Sequence, residues 1–177
     1  MAESEHVALI EQGVAAWNQW REDKPGIRPD LRGADLRQAD LAGVNLRQAD
    51  LPATILAQAD LRGADLRSAH LCGTNFSKAN LQDANLHGAD LGGANLGGAN
   101  LARADLSATD LRSALLYEAD LQHANLSDAD LRSALLHRVR NVEIDQLAAV
   151  RTLYLTELAE LMELVETTCP KLLQAPG

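Results

Sequence analysis

The chain has 177 residues and a formal net charge of -9, which suits one domain and argues against direct nucleic-acid binding, because that needs a basic patch. The acidity is spread over the chain, with fourteen acids and ten bases in residues 29–138, five and three before them, and six and three after. Trp17, Trp20, Phe76, Tyr117 and Tyr154 are the only aromatics, so platforms on which bases could stack are missing as well.

Residues 4–22 read as one helix: Ser4 can cap it, Val7, Ile10, Val14, Trp17 and Trp20 recur at helical spacing, and Pro25-Gly26 end it. Residues 1–28 are therefore expected to form a capping helix and linker, with Trp17 and Trp20 plugging whatever core follows. The N-terminus begins acidic, its apolar positions are spaced rather than continuous, and no apolar run approaches about eighteen residues. No secretory or membrane signal is read from it, and a cytoplasmic protein is the simplest expectation.

From Leu31 to Leu136 every fifth residue is leucine, with Phe76 as the one substitute, through twenty-two consecutive pentads. Two positions earlier, from 34 to 134, seventeen of twenty-one residues are Ala, with Val44, Thr54, Thr74 and Thr109 as the others. The position before the leucine is Asp or Asn in eighteen of twenty-two. A period of five fits no regular element: along a helix it walks the leucines about 140° per step, and along a strand it sends them to alternate faces. Within a pentad, Ala-Asx-Leu is a short in-out-in alternation, and the next two residues are often Gly, Ser, Gln or Arg, suited to a turn. Four right-angle bends of one sense close a coil of twenty residues, and coils stack about 4.8 Å apart. Five and a half coils then make a solenoid whose core exists only through stacking. Ala at the second inward position follows from the narrow axis.

The motif, as in Ala34-Asp35-Leu36-Arg37-Gln38 and Ala89-Asp90-Leu91-Gly92-Gly93, resembles the pentapeptide repeat family over residues 29–139. The resemblance implies an all-β solenoid, a right-handed quadrilateral β-helix with the Leu or Phe and the small residue inside. Its known roles are binding roles. Some members protect DNA gyrase from quinolones as acidic rods that mimic DNA, and bacterial members carry regular Ala-Asp-Leu repeats.

Ile55, His70, Leu115 and Leu135 depart from Asp or Asn, and counting by twenty stacks Ile55, Leu115 and Leu135 in one column with Asn75 and Asn95 between. Either the outward site tolerates drift, or the chain's own C-terminal segment covers Leu115 and Leu135, or a partner does. Tyr117 lies beside them. In another column fall Asp30, Asp50, Asp90, Asp110 and Asp130, broken by His70. Stacked carboxylates are expected to raise one another's pKa, but a convex rod has no cleft in which that would serve acid-base chemistry. The simpler role of Asp or Asn is to bond backbone amides in the turn, and Arg32, Arg112 and Arg132, two positions on, can partly balance the column.

Residues 140–177 complete the chain as a helical cap. The helix is expected over 143–168, with starts available at Asp145 or Thr152, so one long helix or a short one and a longer one. Ile144, Leu147, Val150, Tyr154, Leu158, Leu161 and Val165 line one side, and further apolar residues widen it enough to serve a homodimer through this segment.

No catalytic, cofactor or metal site is read. The five histidines fall on different walls or outside the repeat, Gly92-Gly93 and Gly97-Gly98 occupy turn positions, and Cys72 and Cys169 are expected as reduced thiols. The function expected is a non-enzymatic protein-protein interaction module whose partner is unknown, with the DNA-mimicking acidic rod as the alternative. The candidate surface residues are Ile55, Leu115, Leu135 and Tyr117 on one wall and Asp50, Asp90, Asp110 and Asp130 on another.

Overall fold

The computed structural model describes residues 3–153, 166 and 170–174. Residue n pairs in parallel with residue n+20 in nineteen β-bridges, from Asp30↔Asp50 to Asp120↔Arg140, so four pentads make one coil. Each pairing is an isolated bridge rather than an extended strand, because only three residues run straight before the next corner. The four walls are named here after their first bridged residues: Asp30, Asp35, Asp40 and Asn45.

All twenty-two Leu or Phe positions are buried, as is every small residue two before them except the half-buried Ala39. Where Thr replaces Ala, the hydroxyl is satisfied: Thr54 Oγ1 donates to Leu31 O at 2.8 Å and Thr74 Oγ1 to Leu51 O at 2.7 Å.

Every corner has the same construction. Ala34 N donates back to Leu31 O at 3.0 Å across Arg32-Gly33, and the third residue of the turn is left-handed. That conformation recurs at all twenty-two positions from 33 to 138, yet only seven carry glycine. Left-handed backbone costs an ordinary L-residue roughly 1–2 kcal/mol. At Gln38 (φ 59°) the coil supplies the compensation: Gln38 N donates to Ala57 O at 2.9 Å, and Leu36 N to Ile55 O at 2.8 Å, both in the next coil.

The expected single helix over 4–22 is two, α1 (Ser4–Ile10) and α2 (Val14–Asp23). Gly13, at φ 103°, divides them, and Ser4 is the first helical residue rather than the cap. The break lets both helices turn onto the first coil, where Trp17 is fully buried and Trp20 half-buried. Backbone and side-chain groups of this N-terminal segment supply the partners that a preceding coil would have supplied. Glu3 N donates to Asp30 O, and Asp30 N to His6 Nδ1 at 3.2 Å. Trp17 Nε1 donates to Asn45 O at 2.8 Å, and Asn18 accepts from Asn45 N while donating to Gly43 O. Arg21, buried, reaches Ile27 O and Arg47 O.

At the other end, α3 (Ile144–Ala148) starts from Glu143 rather than Asp145, with Gln146 Oε1 accepting from Glu143 N at 2.7 Å. The Gln146 amide donates to Leu121 O and Ala124 O, carbonyls with no further coil above them. Thr152 pairs with Asp130, and Arg151 N donates to Ala129 O, so the wall gains a partial extra edge. A 3-10 turn at Pro170–Leu173 sets Leu173 against the core. The helix expected beyond Thr152, and with it the dimerisation segment, lies outside the described residues apart from single positions.

Candidate interaction surface

The outward chemistry starts from the tripeptide Asp-Leu-Arg. With leucine buried, residues i and i+2 both face out, and the Asp or Asn carboxyl or amide oxygen accepts the backbone N–H two residues on. Seventeen of the eighteen Asp or Asn positions make this bond. The one that does not is Asp50, because its i+2 residue is Pro52, which has no N–H. The Asp or Asn preference of the repeat is thus a turn requirement.

Where Arg stands at i+2 it forks onto the same carboxylate. Arg32 Nε and Nη2 reach Asp30 at 2.9 and 2.6 Å, and the pairs Asp60–Arg62, Asp65–Arg67, Asp110–Arg112 and Asp130–Arg132 repeat the arrangement, while Arg37 reaches both oxygens of Asp35 through Nε alone. The expected mutual raising of pKa down the Asp column is present at Asp130, which Asp110 raises, but it is outweighed at Asp30, Asp110 and Asp130. The hydrogen bond from Arg32 lowers Asp30 from 3.8 to about 2, and that from Arg112 lowers Asp110. Asp130 is 7% exposed; burial alone would raise it, and its bonds from Arg132 outweigh the burial, so it too is lowered. A neighbouring guanidinium at hydrogen-bonding distance outweighs a carboxylate one coil away.

The rest of the column differs from member to member. Asp50 holds Arg28 and, at 3.1 Å, His70 Nδ1. Asp90 accepts from Cys72 Sγ at 3.0 Å, and burial together with that carboxylate pushes the Cys72 thiol up to about 11. Cys72 is a free cysteine. Cys169 lies outside the described residues.

On the Asp35 wall, the bridge Leu115↔Leu135 sets these two leucines one coil apart, both half-buried. Tyr117 shares Leu115's pentad and is 40% exposed. Its ring lies over Gly97, one coil below, where a β-carbon would overlap it. The glycine is thus the floor on which the tyrosine rests. Ile55 is not brought to this group, since Asn75 and Asn95 stand between, about 14 Å of stacking. Nor do the candidate aspartates join it, because they occupy a different wall.

The expectation of a rod without hollows also fails. The linker Pro25–Arg28 stands off the Asp30 wall and encloses about 330 Å³ against Gln48, Ser68 and His70. A second hollow of about 270 Å³ lies where Arg151 meets Asp110, Arg112, Asp130 and Arg132. Both arise where non-repeating segments lean on the repeat, a feature that periodicity does not encode. Among the described residues no group of three His, Cys, Asp or Glu could hold a metal ion, and no helix is long and apolar enough to cross a membrane.

Coils of four pentads paired by twenty define the class, a four-sided β-solenoid. The family model for pentapeptide repeats matches residues 30–67, 59–98 and 99–138, and the chain belongs to the pentapeptide repeat family. Its members form right-handed quadrilateral β-helices. Among solved structures, a pentapeptide repeat protein of the Arabidopsis thaliana thylakoid lumen is 32% identical over 57% of this chain and 70% of its own, with a TM-score of 0.55. One from the cyanobacterium Cyanothece is 26% identical over 70% and 95%, with a TM-score of 0.53. QnrB1, a plasmid-mediated fluoroquinolone resistance protein, is 23% identical over 72% and 70%, with a TM-score of 0.56, a likeness of fold alone. Comparison with curated proteins finds no match.

Proposed function

We propose that the protein is a non-enzymatic interaction rod that docks a protein partner through the Asp35 wall, with Leu115, Leu135 and Tyr117 as the apolar contact. The observation that carries this reading is Tyr117, a large apolar group held out at 40% exposure beside two leucines where the repeat calls for Asp or Asn. Aromatic side chains with few rotamers, already fixed on a rigid backbone, lose little entropy on binding. In this reading residues 1–28 close one end, 29–139 present the surface, and 140–177 close the other end and offer the means of homodimerisation. The location is cytoplasmic, Cys72 stays reduced, and no cofactor, membrane or nucleic acid is engaged directly.

Replacing Leu115 and Leu135 together by Asp tests this. A folded protein that loses its partner in pull-down, or its dimer in light scattering, supports the docking face. Loss of folding assigns the leucines to an internal cover instead, and a folded, fully binding variant removes the proposal.

The DNA-mimic reading rests on carboxylates repeating about every 4.8 Å along the rod. It is weakened by the six Asp–Arg ion pairs, which cancel charge at the spacing a mimic would need. Gyrase supercoiling left unchanged by micromolar protein would remove it.

A further inference from the structure

We propose that the hollow between the N-terminal linker and the Asp30 wall binds a small oxyanion, either a phosphate monoester or a dicarboxylate. Two breaks in an otherwise regular sequence line it: Arg28 sits just before the first pentad, and His70 replaces the Asp or Asn of its column. A third stands next to it in the chain, Pro52, which follows the Asp50 that bonds Arg28.

Each break has a consequence for the hollow. An Asp at position 70 would place a carboxylate between Asp50 and Asp90 and repel any anion; histidine removes that charge. Asp50, on which Pro52 makes no claim, accepts from Arg28 Nη2, the same Nη2 lies 2.8 Å from His70 Nδ1, and Arg28 Nε donates to Gln48 O at 3.1 Å. Among the described residues that leaves Arg28 Nη1 uncommitted. Arg21, nine-tenths buried, lines the same hollow and donates Nη1 and Nη2 to carbonyls, but its enclosed Nε has no hydrogen-bond partner. A buried guanidinium N–H left unpaired is a costly arrangement that a ligand drawing the side chain toward it can relieve. Gln48 and Ser68 add an amide and a hydroxyl at the rim.

The charge balance favours an anion. Among the described residues two guanidiniums and no carboxylate line the hollow; Asp50 bonds Arg28 from outside the lining and Asp65 and Arg47 act on Arg21, in a chain whose overall charge is -9. At about 330 Å³ the space is at the small end of ligand sites. Guanidinium groups suit both the tetrahedral and the planar oxyanion.

Inorganic phosphate and succinate, titrated separately into the full-length protein at low ionic strength, provide the test, read by NMR at the arginine Nε–H and histidine side-chain signals. Saturable binding in about the millimolar range or tighter is expected for at least one, with Arg21, Arg28 and His70 shifting. Saturation by phosphate alone assigns the tetrahedral class, and by succinate alone the dicarboxylate. His70→Asp restores the repeat's own residue and should keep the fold while weakening binding about tenfold or more. Arg112→Gln, on the same wall two coils away, should leave it unchanged. Non-saturating shifts with both anions, undiminished affinity in His70→Asp, or an equal loss in Arg112→Gln would overturn the site.

Discussion

Between Leu66 and Leu106 each coil is closed above and below by coils like itself, whereas the first coil, Asp30 to Gln48, is closed on one side by one-off side chains from α1 and α2. In the middle, the partners of Leu81 N and Asn80 N are backbone carbonyls nineteen and twenty-one residues away, Asn100 O and Ala59 O. At the start, the corresponding groups of Asp30 and Asn45 take His6, Trp17 and Asn18. A repeat can stabilise its interior by copying one solution, but its ends need residues chosen singly, so damage should spread differently from the two places.

The sharpest way to break this contrast is Trp17→Ala, which empties a fully buried indole site and strips Asn45 O of its donor; it should cost about 3–5 kcal/mol. Hydrogen exchange should accelerate in the first coil, at Asn45 and Leu46, well before the middle coils. Leu81→Ala should cost about 2–5 kcal/mol by urea titration, with protection lost on both sides of the vacancy. Equal loss along the whole rod in both variants would mean that ends and middle are one cooperative unit. A smaller effect separates corner from linker: Gly63→Ala puts a β-carbon on left-handed backbone (φ 64°) and should cost roughly 1–2 kcal/mol in thermal unfolding. Gly26→Ala, with open space around it and no such φ, should be neutral or slightly stabilising.

The smallest effect concerns charge. Asp30 is ionised down to about pH 2 when folded and has an ordinary value of 3.8. Its contribution is therefore present above about pH 4 and fades as pH falls toward 2. A carboxyl titration by NMR should find Asp30 low and see it return toward 3.8 in Arg32→Gln; an unchanged value would show that the guanidinium is not the cause.

The leucine ladder, the coil of twenty and the turn role of Asp and Asn were all readable from the chain, because each is repeated until alternatives fail. The partial balancing of Asp110 and Asp130 by Arg112 and Arg132 was readable too, since both stand outward in one pentad. The division of α1 from α2 at Gly13 was not, because apolar spacing runs straight through a glycine whose φ only the packed helices decide. The hollow at Arg28 and His70 was equally hidden: periodicity places His70 beside Asp50 but says nothing of where the linker returns.

Fifteen corners hold a left-handed residue that is not glycine, among them glutamine, lysine, arginine, alanine and glutamate. The conformation there is imposed by neighbouring coils, not chosen by the residue. A lineage is then free to rewrite its corner letters, one mutation at a time, without renegotiating the architecture. New recognition specificities can arise on such a scaffold by substitution alone, with no insertion or loss of chain.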